Sequence, residues 1–366
     1  MGQDGRVTVS NVFWIRVQID GSKADHEKLV LDTGSPYTWL YNYKILEEAH
    51  GDIVGGYGTT ALRTLVDAPK GGNLIIYADN DRIECDKWIK RNFTFHGRTW
   101  IEPFGIANSV AQRAKKPIYT GFLGASRDSN FVRQVGVFGF KPVSRQESEM
   151  FYSSIHPEWC YNNLVMYFPL SSKNRHDQRH WVSQTPVTFG DTDLHEGFML
   201  DTGASVIALP TSAFKAFERE LEARGILFRY YPEKLYGVIP CNMMSSMPSW
   251  YIGYKNGVNR FRVTPSTYII EDAARNICVV DVAKVSSGHP IIFGLPVLRT
   301  SISEFNQKNE SIGICYPKSG GHSVLDKPRT PPRRGDLTIH RSSKRYNISS
   351  LVPALYTLLS CLMMAL

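Results

Sequence analysis

No apolar run in this 366-residue chain is long enough for an ordinary membrane-spanning helix, which needs about twenty predominantly apolar residues. Cysteine is sparse. Cys85, Cys160, Cys241, Cys278, Cys315 and Cys361 form no Cys-x-x-Cys pair, so a metal centre of the usual ligand spacing is not expected. His176, His180 and His195 fall between Leu170 and Gly197, a span with no cysteine or carboxylate at ligand spacing. They read as loop histidines rather than metal ligands. Gly-x-Ser-x-Gly, a Walker loop, His-Glu-x-x-His and a dinucleotide fingerprint are all missing, which removes the commonest hydrolase and nucleotide-binding readings. Met1 to Ser10 is polar and shows no apolar signal region, and Arg6 stands where a myristoylation motif needs Ser or Thr. Helical periodicity is scarce too. One stretch carries it, Thr211 to Glu222, with Ala213, Phe214, Phe217 and Leu221 on one face and Thr211 or Ser212 as candidate caps.

What the chain does contain points to strands. It has 29 Gly, 20 Pro, 18 Phe, 18 Tyr and 7 Trp, a composition suited to many short strands and frequent turns. The net charge of +8 is unevenly placed. Residues 319–350 hold Lys327, Arg329, Arg333, Arg334, Arg341, Lys344 and Arg345 against Asp326 and Asp336. Pro and Ser are interleaved there and aromatics are few, so a solvated, disordered linker is expected rather than a nucleic-acid surface. Residues 351–366 form an apolar tail.

Two stretches stand out from the rest. Leu31-Asp32-Thr33-Gly34-Ser35 and Leu200-Asp201-Thr202-Gly203-Ala204-Ser205 each place Asp-Thr-Gly after an apolar run and before another mostly apolar stretch. That pattern predicts buried strand, tight turn, buried strand. An ionised carboxylate is out of place in such surroundings unless it has a purpose. Gly34 and Gly203 allow the close approach a tight turn needs. Phe122-Leu123-Gly124 and Ile292-Phe293-Gly294 then follow at almost the same offset after each motif. The chain therefore reads as two related halves, and a pseudo-two-fold arrangement would bring the two aspartates together between them.

On these residues the chain resembles the pepsin-family aspartic endopeptidases. Trp39, Tyr77 within Leu74-Ile75-Ile76-Tyr77, and the closing run from Ile291 to Gly313 add to the likeness, which covers residues 11–317. The resemblance implies an all-β, bilobal acid protease fold with a central cleft: a polar end at 1–10, a first lobe at 11–170 and a second at 171–318. Asp32 and Asp201 would be catalytic. Thr33, Gly34, Ser35, Thr202, Gly203 and Ser205 would support them, with Thr33 and Thr202 tying the two loops together and Gly34 and Ser35 positioning the first carboxylate. Tyr77 would be the substrate-flap residue, on a hairpin over residues 71–84 whose Ala78-Asp79-Asn80-Asp81 tip departs from the family's small, glycine-rich one. Trp39 would pack near the cleft beside that tyrosine. Leu295-Pro296 replaces the aspartate the family commonly has after this glycine, and the span from Leu170 to Gly197 is shorter than the family's.

The implied chemistry needs no metal and no cofactor: a water activated between two carboxylates cuts peptides, best at acid pH. Peptide or protein substrates and pepstatin-like inhibitors are the implied partners of a monomer, with membrane contact only through the tail. The alternative is a pepsin-fold peptide-binding or inhibitor protein without turnover. A disulfide between Cys241 and Cys278 follows from the resemblance, while Cys85 with Cys160 stays open. Sequons at Asn92, Asn309 and Asn347 fit the secretory route, and the resemblance implies a leader and a prosegment ahead of the first strands. The tail, after Ser342-Ser343 and a polar spacer, reads either as a GPI signal or as another apolar end. Residues 141–163 read as irregular.

Overall fold

In a computed structural model of the full chain, the residues described are 6–9, 13–22, 24–50, 65–68, 74–77, 82–108, 119–144, 147–173, 175–232, 234–254, 260–272, 277–318 and 363–364. The protein is all-β and bilobal in the manner of the pepsin-like proteases: strands dominate, and the helices among the described residues are short.

The internal repeat of the sequence is a repeat of topology. In the first half, Glu27–Asp32 runs parallel to Gly121–Gly124, with Leu31 beside Leu123 and Asp32 beside Gly124. Trp39–Tyr41, which follows the motif, is antiparallel to that same Gly121–Gly124 strand and parallel to Arg98–Ala107. In the second half, Phe198–Leu200 runs parallel to Ile291–Phe293. Ile207–Pro210 is antiparallel to Ile291–Phe293 and parallel to Val282–Val285. Each Asp-Thr-Gly thus sits at the crossing between two strands that flank one short central strand. The central strand is Gly-Phe-Leu-Gly in one half and Ile-Ile-Phe in the other. All three strands around each crossing are buried on both faces, which explains their continuous apolar runs.

A further set of strands joins the halves. Met166–Pro169, Ser311–Cys315, Ile302–Asn306, Val137–Pro142, Glu147–Phe151 and Arg6–Val9 pair in that order, all antiparallel. Aromatic packing fills the space above them. Phe138 stacks on Phe305 at 5.0 Å, and Phe13 meets Phe140 at 4.9 Å. Trp181, fully buried, donates its Nε1–H to the carbonyl of Ala125 at 2.8 Å.

The structure corrects several expectations. Residues 141–163 are not irregular throughout, because Glu147–Phe151 forms a hairpin with Val137–Pro142. Ser148 and Met150 point inward there, and a buried serine masks the alternation a strand should show. Helices exist beyond Thr211–Ala223: Tyr43–His50, Asn130–Val135, Arg175–Arg179, Pro265–Tyr268 and Leu295–Leu298. The Thr211–Ala223 helix has Pro210 at its cap position, and neither hydroxyl caps it; Thr211 bonds the Val285 carbonyl and Ser212 the Glu196 carboxylate. Cys160 bonds Cys315, which excludes the Cys85–Cys160 pairing, and Cys241 bonds Cys278. Leu295 and Pro296 are buried at the start of their short helix. His180 is buried rather than looped into solvent, and His195 is exposed.

Phe305 is buried and touches Phe138, Phe140 and Trp181. Replacing it with alanine should destabilise the fold by about 3–5 kcal/mol. Denaturant unfolding of Phe305→Ala checks this, and a loss below about 1 kcal/mol would show that the strands joining the halves do not depend on this ring.

Candidate active site

The two Asp-Thr-Gly turns meet face to face and are locked by their threonines. Thr33 Oγ1 donates to the Leu200 carbonyl at 3.1 Å and accepts the Thr202 N–H at 2.9 Å. Thr202 Oγ1 donates to the Leu31 carbonyl at 2.6 Å and accepts the Thr33 N–H at 3.0 Å. Four hydrogen bonds therefore cross from one half to the other within two residue pairs, and all are buried. A hydroxyl is the right group for this, because one atom both donates and accepts.

Above the threonines lie the carboxylates. Asp32 Oδ1 accepts the Gly34 N–H at 2.9 Å, and Asp201 Oδ1 accepts the Gly203 N–H at 2.8 Å. Both residues are wholly buried. The other oxygen, Oδ2 of each, receives no donor from the described residues. Two ionised carboxylates offer each other no donor; one proton placed between them supplies it. Burial raises the pKa of Asp32 well above the carboxylate range, and the charge of Asp201 raises it further. Burial also raises Asp201, to about 7, opposed chiefly by the hydrogen bond from the Gly203 N–H. Like charges so placed cannot both ionise cheaply, and the pair titrates as a unit.

Gly34 is required by space as well as by the turn. A methyl group built on it would stand 2.4 Å from Oδ2 of Asp201. The glycine of the first turn thus makes room for the aspartate of the second.

The remaining expected residues divide. Ser35 Oγ donates to the Tyr37 carbonyl and accepts the Tyr37 N–H, both at 3.1 Å. Its hydroxyl shapes the turn toward Tyr37 instead of reaching the Asp32 carboxylate, while its N–H bonds the Asp32 carbonyl at 3.3 Å. Ser205 is buried, and its Oγ has no hydrogen-bond partner among the described residues. Trp39 stacks on Phe122 at 4.7 Å and meets Tyr41 edge-on at 5.0 Å. It belongs to the apolar cluster that also holds Ile75 and Ile83 of the hairpin. The hairpin itself is formed by Leu74–Tyr77 and the start of Arg82–Phe95. The side chain of Tyr77 and the turn at 78–81 lie outside the described residues, and Met363–Met364 pairs along the Ile76–Tyr77 edge. Asn92 and Asn309 are exposed; Asn347 lies outside the described residues.

Tyr37 and Arg179 were not legible beforehand. Arg179 reaches the Tyr37 hydroxyl at 3.4 Å and binds Asp128 at 3.0 Å, which links the short Arg175–Arg179 helix to the first turn. The one sequence signal was the polar Tyr37-Thr38 pair set between the motif and Trp39. Among the described residues no cluster of three or more His, Cys, Asp or Glu could hold a metal ion.

The family model for eukaryotic aspartyl proteases matches residues 143–316. Renin from Ovis aries is 29% identical over 130 residues, a stretch that covers 34% of this chain and 30% of that protein's length. The chain thus spans less than a third of that curated relative. In sequence and in fold it resembles the pepsin-like aspartic proteases. The matched family span contains Asp201 but not Asp32, so the first motif is tied to the second by the internal repeat and the threonine lock.

Removing the Thr202 hydroxyl leaves the Thr33 N–H and the Leu31 carbonyl unsatisfied in a buried site. Thr202→Val should destabilise the protein by about 2–4 kcal/mol, since an unmet buried polar group costs about 1–3 kcal/mol. Thr202→Ser, which keeps the oxygen, should recover most of that loss. Equal stability of the valine and serine variants in thermal unfolding would contradict the lock.

Proposed function

We propose that this chain is an aspartic endopeptidase that hydrolyses extended peptides near hydrophobic residues, with Asp32 and Asp201 as its catalytic pair. The observation that carries the reading is the buried, coupled pair of carboxylates, each held by its own glycine N–H and joined beneath by reciprocal threonine bonds. Burying two carboxyl groups at one point is costly, and a peptide-binding module without turnover has no use for that arrangement.

The chemistry follows from the shared proton. The ionised member of the pair takes a proton from an attacking water, and the protonated member donates to the scissile carbonyl. The resulting tetrahedral diol collapses with loss of the amine. Thr33 and Thr202 keep the two turns at fixed separation, and Gly34 leaves the space in which the outer oxygens face one another. Tyr77 is assigned the role of covering the substrate from the hairpin, and Trp39 that of supporting the hairpin from below.

We place the division between lobes near residue 170 and assign the protein to the secretory route as a monomer. Two disulfides and the exposure of the sequon residues Asn92 and Asn309 support that route. The basic stretch and apolar tail are read as linker and membrane attachment, with a GPI signal as one form of it.

Purified protein should cut a hydrophobic peptide at pH 3–5, and Asp32→Asn or Asp201→Asn should each abolish the cleavage. Activity that survives either change refutes the assignment. Binding of a pepstatin-type inhibitor by a wild type that does not cleave would favour the binding-protein alternative.

The pH dependence has a defined sign. Both carboxyl groups are raised in the folded state. The pair therefore retains its one proton in acid and loses it as pH rises through the raised values, so activity falls on the alkaline side. The same linkage makes the pair's contribution to folding stability largest in acid and smaller as pH rises. A peptidase rate that climbs from pH 5 to pH 8 would contradict this.

A further inference from the structure

Glu102 is a fully buried carboxyl that the proposed reaction does not use. It sits on the strand Arg98–Ala107 and is met from three directions by donors. Thr38 Oγ1–H reaches its Oε1 at 2.7 Å, Trp100 Nε1–H reaches Oε2 at 2.7 Å, and Asn130 Nδ2–H reaches Oε2 at 2.8 Å. Thr38 comes from the segment just after the first Asp-Thr-Gly, Trp100 from the same strand as Glu102, and Asn130 from the helix Asn130–Val135. The charge acting on Glu102 from that helix is Arg133.

Thr38 carries the contact onward. Its Oγ1 also accepts the Gly124 N–H at 3.2 Å, and its carbonyl accepts the Gly105 N–H at 3.0 Å. Gly124 pairs with Asp32 in the parallel ladder, and the next residue, Ala125, donates its N–H to the Asp32 carbonyl at 2.7 Å. There is no slack at this point: a Cβ on Gly124 would lie 2.7 Å from the backbone N and O of Tyr37. The line Glu102–Thr38–Gly124–Asp32 is therefore continuous and buried.

We propose that Glu102 is a pH-responsive positioning residue, which sets through Thr38 the hydrogen bond at Gly124 that seats the Asp32 loop. The argument lies in the donor inventory. Three donors converge on Glu102, which suits its ionised form. When Glu102 gains a proton, that proton needs an acceptor. Trp100 Nε1 can only donate, and so can Asn130 Nδ2; Thr38 is the one partner of the three whose atom can also accept. Protonation therefore turns the Thr38 hydroxyl away from Glu102 and redistributes the lone pairs that Gly124 uses. Burial raises the Glu102 pKa to about 7, against the opposing hydrogen bonds and the Arg133 charge. The two arrangements thus exchange between acid and neutral pH, above the range proposed for the reaction. The catalytic meaning of this link rests on reading Asp32 as a catalytic residue; the link itself does not.

The test follows the Gly124 amide by NMR in protein labelled with 15N-glycine, titrated from acid to mildly alkaline pH. The wild type should show, in its difference from Glu102→Gln, a step centred at pH about 7. The titration of the aspartates is common to both proteins and drops out of the difference. Thr38→Val should also lose the step, and Thr38→Ser should keep it. In peptide cleavage, Thr38→Val should lower kcat by about tenfold, the effect of about 1.4 kcal/mol in the barrier, with KM little changed, and Thr38→Ser should restore it. A Gly124 titration that is the same in wild type as in Glu102→Gln or in Thr38→Val overturns the link, as does a Thr38→Ser variant that behaves like valine in either measurement. A wild type that shows the Gly124 step but cleaves no peptide keeps the link and refutes the peptidase reading instead.

Discussion

The structure depends on four hydrogen bonds exchanged between Thr33 and Thr202 and the backbones opposite them. Each threonine satisfies one N–H and one carbonyl of the other half, so neither turn is complete by itself. Buried backbone groups left unmatched are costly, and each half therefore requires its partner at a fixed place and angle. The strands that join the halves by Val137–Pro142 and Ile302–Asn306 bring the turns near one another. The threonines set the final separation, and that separation decides whether two carboxyl groups share a proton or ignore each other.

The repeat of topology is close, and the environments of the two aspartates still differ. Gly34 makes room for Asp201, the aspartate of the opposite turn. The first turn closes through Ser35 onto Tyr37, whereas the second passes through Ala204 and leaves the Ser205 hydroxyl without a partner among the described residues. Tyr37 in turn is held by Arg179, and Ala204 accepts the Leu295 N–H. A near-symmetric scaffold with unequal surroundings suits a pair in which one member is to donate a proton while the other accepts one.

Much of this was legible in the chain itself, because it was local. An apolar run, Asp-Thr-Gly and a second apolar run define strand, turn and strand wherever they occur, and the recurrence of Phe-Leu-Gly and Ile-Phe-Gly at matching offsets defined the repeat. The helix at Thr211–Ala223 was visible for the same reason: Ala213, Phe214, Phe217 and Leu221 fall on one face. What stayed hidden depends on contacts distant in sequence. Cys160 and Cys315 are 155 residues apart, and nothing in either neighbourhood names the other. Glu147–Phe151 buries a serine on its inner face, so its alternation is chemical nonsense until its neighbours are known. Ser35 was expected to position Asp32 from the resemblance; its N–H acts on that carboxyl, and only the turn's path shows its hydroxyl spent on Tyr37.

Glu102 illustrates how a group with no local signature can matter. In sequence it is one acidic residue in a strand without clean alternation, between an exposed Ile101 and a run of non-polar residues. In the fold it is surrounded by hydroxyl, indole and amide donors drawn from three separate elements. A buried carboxyl ringed by donors has two balanced forms: burial favours the neutral one, and the donors favour the charged one. Hydrophobic packing alone would have placed an apolar residue there at lower cost. The contact that makes the difference is Thr38, since it touches both Glu102 and Gly124 and can reverse the sense of its own hydrogen bond. The first turn is thus anchored on two sides, by Thr202 from the opposite half and by Thr38 from its own. Neither hydroxyl titrates, but the second is bonded to a carboxyl that does.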